Sequence, residues 1–136
     1  MLTVPVYRRF SDLDPLGHVN NVAYHDYLQE ARMGMIESVS EVVNADYALV
    51  VVSQEVRHRR PMLHSHKPVL IETSISNLGR SSYTIEYRIL DDDGELAAEG
   101  TTTLAATDPQ TGRPIRLPES LLEQLRPHVT DFTPSP

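Results

Sequence analysis

One stretch of the sequence concentrates groups that can do chemistry: Asp12-Leu13-Asp14-Pro15-Leu16-Gly17-His18-Val19-Asn20-Asn21-Val22-Ala23-Tyr24. It sets two carboxylates, an imidazole, a glycine and two asparagines directly ahead of an apolar pattern with helical spacing. The first turn of a helix leaves backbone N–H groups unpaired and carries roughly half a positive charge, so it can hold a carbonyl oxygen that turns anionic during acyl transfer. A carboxylate close to that carbonyl can attack it, or can take a proton from water that does. The same residue types also fill ordinary surface turns and helix caps, where they do no chemistry.

The elements that must position this segment follow from the hydrophobic pattern. Val4 to Phe10 reads as a first strand, and Ser11 to Asn20 as a loop rich in Asp, Gly, Pro and Asn. A helix follows, with Tyr24, Tyr27, Leu28, Ala31, Met35 and Val39 recurring at steps of three and four, capped by Asn20 or Asn21 and running to about Val43. Gly34 falls inside that helix, either because a sheet approaches closely there or because an exposed face tolerates it. After Asp46 the period changes to two. Tyr47 to His58, Val69 to Ile75, Tyr83 to Ile89 and Leu96 to Ala106 are predicted strands, joined by turns at Asn77-Leu78-Gly79-Arg80 and Asp92-Asp93-Gly94. A short helix from Pro118 to about Arg126 closes the domain, and a proline-rich tail at 128–136 is expected to be flexible. The sum is an α+β fold in one domain, residues 1–127, with the apolar face of a long helix on an antiparallel sheet.

Bulk properties remove several alternatives. The 136 residues suffice for one self-supporting core, and the longest apolar run, Ala48 to Val52, cannot cross a bilayer. No secretory signal pattern opens the chain and there is no cysteine, so a cytoplasmic location is the expectation. A net charge of -7 opposes nucleic-acid binding, since the only dense basic cluster is Arg57 to Arg60 and Lys67 is the only lysine. The G-x-S-x-G elbow, the G-x-x-x-x-G-K-[ST] phosphate loop and the G-x-G-x-x-G fingerprint are all missing. His64-Ser65-His66 is a weak metal signal without a carboxylate or cysteine partner, so no metal is expected.

The Asp12 to Gly17 segment resembles the signature of the 4-hydroxybenzoyl-CoA thioesterase branch of the hotdog superfamily, in which an Asp-x-Asp-Pro-x-Gly loop precedes the central helix. His18-Val19-Asn20-Asn21 with Tyr24 is further similar to long-chain acyl-CoA and plant acyl-carrier-protein thioesterases, and Thr111-Gly112-Arg113-Pro114 resembles the family's ending. The resemblance implies a hotdog fold, a curved sheet of about five strands wrapped around one long central helix, and hydrolysis of an acyl-CoA or acyl-carrier-protein thioester without a cofactor. It assigns Asp14 as general base or nucleophile, Gly17 as the loop glycine, Asn21 as the residue whose amide faces the thioester oxygen, and His18 as an assisting imidazole. The plant enzymes carry an asparagine where this chain has Leu16, which favours a scheme with one carboxylate. Hotdog hydratases use an Asp-x-Asn-Pro-x-His spacing, whereas Asp14 and His18 are four apart with no Asn-Pro pair between them.

The resemblance also implies a homodimer or tetramer with active sites at the seam, where strand residues complete each pocket. Tyr24 would line the acyl site with Tyr27 and Leu28, and Glu55, His58, His64 or His66 could face it. Arg59 and Arg60, with Arg57 and His58, suit the phosphates of coenzyme A or an acidic carrier protein, or else they balance surface carboxylates. The competing functional class is a hotdog domain that binds acyl thioesters or a partner protein without turnover.

Overall fold

The computed structural model describes residues 1–36 and 44–129. Five strands form one antiparallel sheet, β1 (Leu2–Val6), β2 (Ala48–His58), β3 (Val69–Leu78), β4 (Ser82–Leu90) and β5 (Leu96–Thr107), in the spatial order β1-β3-β4-β5-β2. Helix α1 (Asn21–Met33) lies between β1 and β2 in the chain, and α2 (Glu119–Leu125) follows β5. The alternation expected of β4 is reproduced in its burial, with Tyr83, Ile85, Tyr87 and Ile89 all turned into the core. Register shifts at Val51/Ser53, Ile75/Asn77 and Ile89/Leu90 add local bends to the sheet. Among the described residues no helix is long and apolar enough to cross a membrane.

Helix α1 starts where Asn20 Oδ1 accepts the Ala23 amide at 2.9 Å, which settles the cap on Asn20 and makes Asn21 the first helical residue. Its buried stripe of Ala23, Tyr24, Tyr27, Leu28 and Ala31 lies on the sheet. At Gly100 of β5 the packing is tight, since an added Cβ would stand 2.9 Å from Leu28 Cδ1 and 3.1 Å from the Glu55 carbonyl oxygen. Only a residue without a side chain lets the helix rest there.

Two expectations are corrected. The helix ends at Met33 after 13 residues, well short of Val43, because Gly34 is its C-terminal cap and donates back to the Ala31 and Arg32 carbonyls. A Cβ on Gly34 would lie 3.2 Å from Val4 Cγ2, so the glycine is there for close packing against β1. Residues 37–43, the rest of the expected helix, are outside the described residues. The first strand ends at Val6, not Phe10, because Arg8 turns inward to bond the Leu63 and Lys67 carbonyls, each at 2.9 Å, and to pair with Asp92. Phe10–Asp12 then forms a turn of 3-10 helix.

At the other end α2 follows the expectation, with Leu121 and Leu125 buried against Leu117. Arg126–His128 continues as a 3-10 turn and Val129 bridges Ile75, while the expected tail from 130 onward is outside the described residues.

Candidate active site

The chemistry-bearing segment folds into a small hairpin whose base is the helix start. Asn20 N donates to Asp12 O at 2.8 Å, Leu13 bridges Val19, and Asp14 N donates to His18 O at 2.8 Å. The tip closes with Gly17 N on Asp14 O at 3.0 Å, and Gly17 has a φ of 82°, a left-handed conformation that costs a side-chain-bearing residue about 1 kcal/mol or more. The far strand of the hairpin is itself paired, through Val19 N on Met62 O at 2.8 Å and a bridge between His18 and Leu63.

Asp14 sits at this tip with its two oxygens in different situations. Oδ1 accepts the amides of Leu16 at 2.9 Å and His18 at 3.0 Å, while Oδ2 has no partner among the described residues. The carboxylate is therefore held in one orientation by the loop it belongs to, with one oxygen left for a ligand or water. Leu16 serves the hairpin through its amide alone, its side chain being 78% exposed.

Asp12, two rungs away, does something else. It is 4% exposed and accepts the Tyr27 hydroxyl at 2.6 Å, the Arg9 amide at 3.0 Å and the Arg9 guanidinium at 2.9 Å. Burial by itself would raise its pKa, but the Tyr27 and Arg9 hydrogen bonds and the Arg9 charge outweigh that and hold it below the ordinary carboxylate value. Burial and the same contact push the Tyr27 phenol up. Asp12 is thus the clasp between the hairpin base and α1, a role for which residue type and spacing alone gave no sign.

At the helix start the amides of Asn21 and Val22 have no acceptor among the described residues. They border an open groove of about 400 Å³ whose lining includes Asp12, Asn20 and Asp26. Asp14 lies two hairpin rungs, roughly 7 Å, from the base of that groove. A thioester carbonyl would have to lie between the two.

Helix α1 meets the C-terminal half of β2 through Gln54 and His58. The His58 ring stands edge-on to Tyr24 with centroids 4.6 Å apart, and Gln54 Nε2 is 2.8 Å from His25 Nδ1. Glu55 is exposed, in a shallow hollow with Arg57, Gly100 and Thr101. Tyr24, Tyr27 and Leu28 are at most 2% exposed, so within one chain they belong to the core and offer no substrate surface. An apolar hollow of about 180 Å³ lies further along α1, among Met33, Ile36, Leu49, Val51, Tyr83 and Leu104. Gln54 is the inward polar residue of β2 that the sequence reading missed.

The basic cluster is largely paired. Arg59 bonds Glu99 at 2.7 Å, Arg57 reaches the same carboxylate at 3.6 Å, and Arg60 meets Asp91 at 3.4 Å. His64 and His66 are packed ring to ring at 5.3 Å, with Phe10 edge-on to His64.

Five antiparallel strands in this order, a helix between the first two and a carboxylate hairpin at its start define a hotdog domain. The sequence model of the thioesterase-like superfamily matches residues 8–125. The chain is 30% identical over 121 residues to the long-chain acyl-CoA thioesterase FadM of Escherichia coli strain K12, covering 86% of this chain and 91% of that one. A thioesterase of Thermus thermophilus, crystallised with coenzyme A and zinc, is 37% identical with a TM-score of 0.74 and 92% of each chain covered. A predicted thioesterase from Bacillus stearothermophilus superposes with a TM-score of 0.85 at 25% identity, over 96% of this chain and 98% of that one. The chain belongs to the thioesterase-like superfamily, and is a hotdog-fold thioester hydrolase.

Proposed function

We propose that this protein hydrolyses acyl-CoA thioesters with Asp14 as its reactive carboxylate. The observation that carries the reading is the division of labour within Asp14, whose Oδ1 is fixed by two loop amides while Oδ2 has no partner among the described residues. The names of its relatives, a long-chain acyl-CoA thioesterase and a thioesterase bound to coenzyme A, supply the substrate class.

In the general-base form Oδ2 takes a proton from water, the water oxygen bonds to the thioester carbon, and the carbonyl electron pair moves onto oxygen facing the Asn21 amide. Collapse of that intermediate breaks the C–S bond and the thiolate leaves with the proton. In the nucleophilic form Oδ2 bonds to the carbon and the C–S bond breaks, releasing the thiolate to take a proton from solvent, and water then splits the mixed anhydride into the free acid and the regenerated Asp14 carboxylate. His18 holds the hairpin with its backbone, so its imidazole is left to assist the departing thiolate. Arg57 and Arg59 share the single carboxylate of Glu99, which leaves one net positive charge for a coenzyme A phosphate. Arg60 is balanced by Asp91 and adds little.

β2 is an edge strand that exposes Val50, Val51 and Val52, and proteins cover such edges. A second copy pairs along it in this reading, giving a homodimer or a tetramer of dimers whose strands complete each site. Light scattering should report a dimer or larger, and Val51→Lys should reduce it to monomers. A monomeric wild type refutes this part.

The function is tested by thiol trapping with CoA esters of graded chain length and aromatic character, alongside matched acyl-carrier-protein esters. Thiol release on the CoA series is expected. Release confined to the carrier esters moves the substrate to that class, and no release from either series overturns the reading.

A further inference from the structure

The hydrogen-bond pattern around Gln54 fixes the state of a histidine to which the hydrolytic scheme gives no role. Gln54 Oε1 lies 2.9 Å from Arg32 Nη1 and 2.7 Å from Thr102 Oγ1, and its Nε2 lies 2.8 Å from His25 Nδ1. A guanidinium can only donate, so the oxygen of the amide must be the atom facing Arg32. The amide nitrogen then faces His25 and donates, which obliges Nδ1 to accept. The ring proton therefore sits on Nε2, and that N–H has no acceptor among the described residues.

The location of this donor matters. His25 is four residues after Asn21, on the same helix face one turn further in, roughly 5–6 Å away, and helical side chains lean back toward the N-terminus. The ring is partly exposed and stands on the β2 side of α1, one turn in from Asn21. Thr102, which anchors the far end of the relay, is fully buried in β5, so the relay is fixed to the sheet.

We propose that His25 is a substrate-contacting residue whose Nε2–H is a further donor to the thioester oxygen, and that Gln54 is its positioning residue, set by Arg32 and Thr102. This deepens the reading of the helix start as the thioester site and rests on it. A neutral imidazole with a fixed tautomer suits an oxygen that gains charge, because it stabilises the anion without first giving up its proton. The donor strengthens its bond as the tetrahedral intermediate forms, so its loss should appear in kcat rather than KM.

His25→Phe keeps a planar ring of similar size and removes the donor; kcat on an acyl-CoA should fall about a hundredfold with KM little changed. Gln54→Glu offers His25 only acceptors, so Nδ1 must then carry a proton, and a merely structural role would not require that change to affect turnover. Imidazole nitrogen NMR on the free protein, at a pH where the ring is neutral, should find the single proton on Nε2 in wild type and on Nδ1 in Gln54→Glu, with kcat at that pH reduced in the latter. A wild-type ring protonated on Nδ1, or His25→Phe within twofold of wild-type kcat while Asp14→Asn is inactive, overturns this inference alone. A raised KM with unchanged kcat also overturns it, by moving the contact to a remote part of the substrate. An active Asp14→Asn would instead overturn the reading beneath it.

Discussion

Replacing Asp14 by asparagine separates the two jobs of that side chain. An asparagine can present its oxygen to the same two amides, Leu16 N and His18 N, that Asp14 Oδ1 now accepts at 2.9 and 3.0 Å. What it loses is the charge, which makes such bonds stronger, and the free carboxylate oxygen. A neutral hydrogen bond contributes about 1 kcal/mol net and a charged acceptor somewhat more, so on this exposed hairpin the variant should lose about 1 kcal/mol or less. That is a fall of a few degrees in melting temperature for a domain of this size. Turnover should fall at least a hundredfold, a barrier increase of about 2.7 kcal/mol, because the amide neither takes a proton from water nor attacks a thioester effectively. Asp14→Ala is the control that also removes the hairpin bonds, and it should melt lower than Asp14→Asn, by roughly another 1–2 kcal/mol. Thiol-trapping initial rates at saturating acyl-CoA, with melts by circular dichroism, read both quantities. A variant with unchanged melting and near-normal turnover would show that Asp14 is a turn residue and nothing more.

Further outcomes follow from neighbouring contacts. His18→Ala keeps the backbone bonds of the hairpin and should lower kcat about tenfold or less; a loss equal to that of Asp14→Asn would show the imidazole to be indispensable. Asp12→Asn should destabilise the protein by about 2–3 kcal/mol in urea at neutral pH, since it disrupts a buried carboxylate held by Tyr27 and Arg9. Because folding lowers the pKa of Asp12, its stabilisation is present above the reference value of 3.8 and is lost as pH falls through the lowered value. The gap between wild type and Asp12→Asn should therefore close in that acid range, and a gap that stays constant would contradict the clasp. Gly100→Ala should cost about 1–3 kcal/mol by forcing Leu28 off β5, and an unaffected urea midpoint would show the contact to be soft.

The parts of the fold that were legible are those where one periodicity dominates. Every second residue is buried along the whole of β4, and along β5 from Ala98 onward, and turn residues mark the ends of both strands. The first strand misled because Val4, Val6 and Phe10 keep the same parity beyond its end at Val6. Arg8 is nevertheless buried and Phe10 is 82% exposed, since a guanidinium found three acceptors in loops distant in sequence. Helix α1 was overextended because Met35 continues its stripe, while the crowding that makes Gly34 its end comes from Val4 on another element.

The site shows the same limit more sharply. Reading inward along β2 from the buried Leu49 would put Ser53, Glu55 and Arg57 on the helix side. The register shift between Val51 and Ser53 exchanges the faces, so Gln54, Val56 and His58 point inward instead. A bulge leaves no mark in a run of Val50-Val51-Val52, and so Gln54 was missed while Glu55 was named. Asp12 and Asp14 are likewise indistinguishable by type and spacing. Their roles diverge because Tyr27 approaches from α1 and reaches only the hairpin base.

That divergence explains how a solvent-facing loop can hold a carboxylate still. The hairpin strand at His18 and Val19 is paired to Met62 and Leu63, and the segment around Leu63 is in turn tied down by the buried Arg8 through the Leu63 and Lys67 carbonyls. Arg8 is anchored by Asp92 at the β4–β5 turn, and its hydrogen bond and charge hold the Asp92 carboxyl below its ordinary value. Burying a guanidinium is costly and Arg8 Nε finds no partner among the described residues, so the contact is a poor device for stability alone. Its effect is to join four separate segments, the end of β1, the hairpin, the Leu63 to Lys67 loop and the β4–β5 turn, into one hydrogen-bonded unit. The orientation of Asp14 is thereby referred to the sheet rather than to its own flexible loop, which is the condition a reactive carboxylate has to meet.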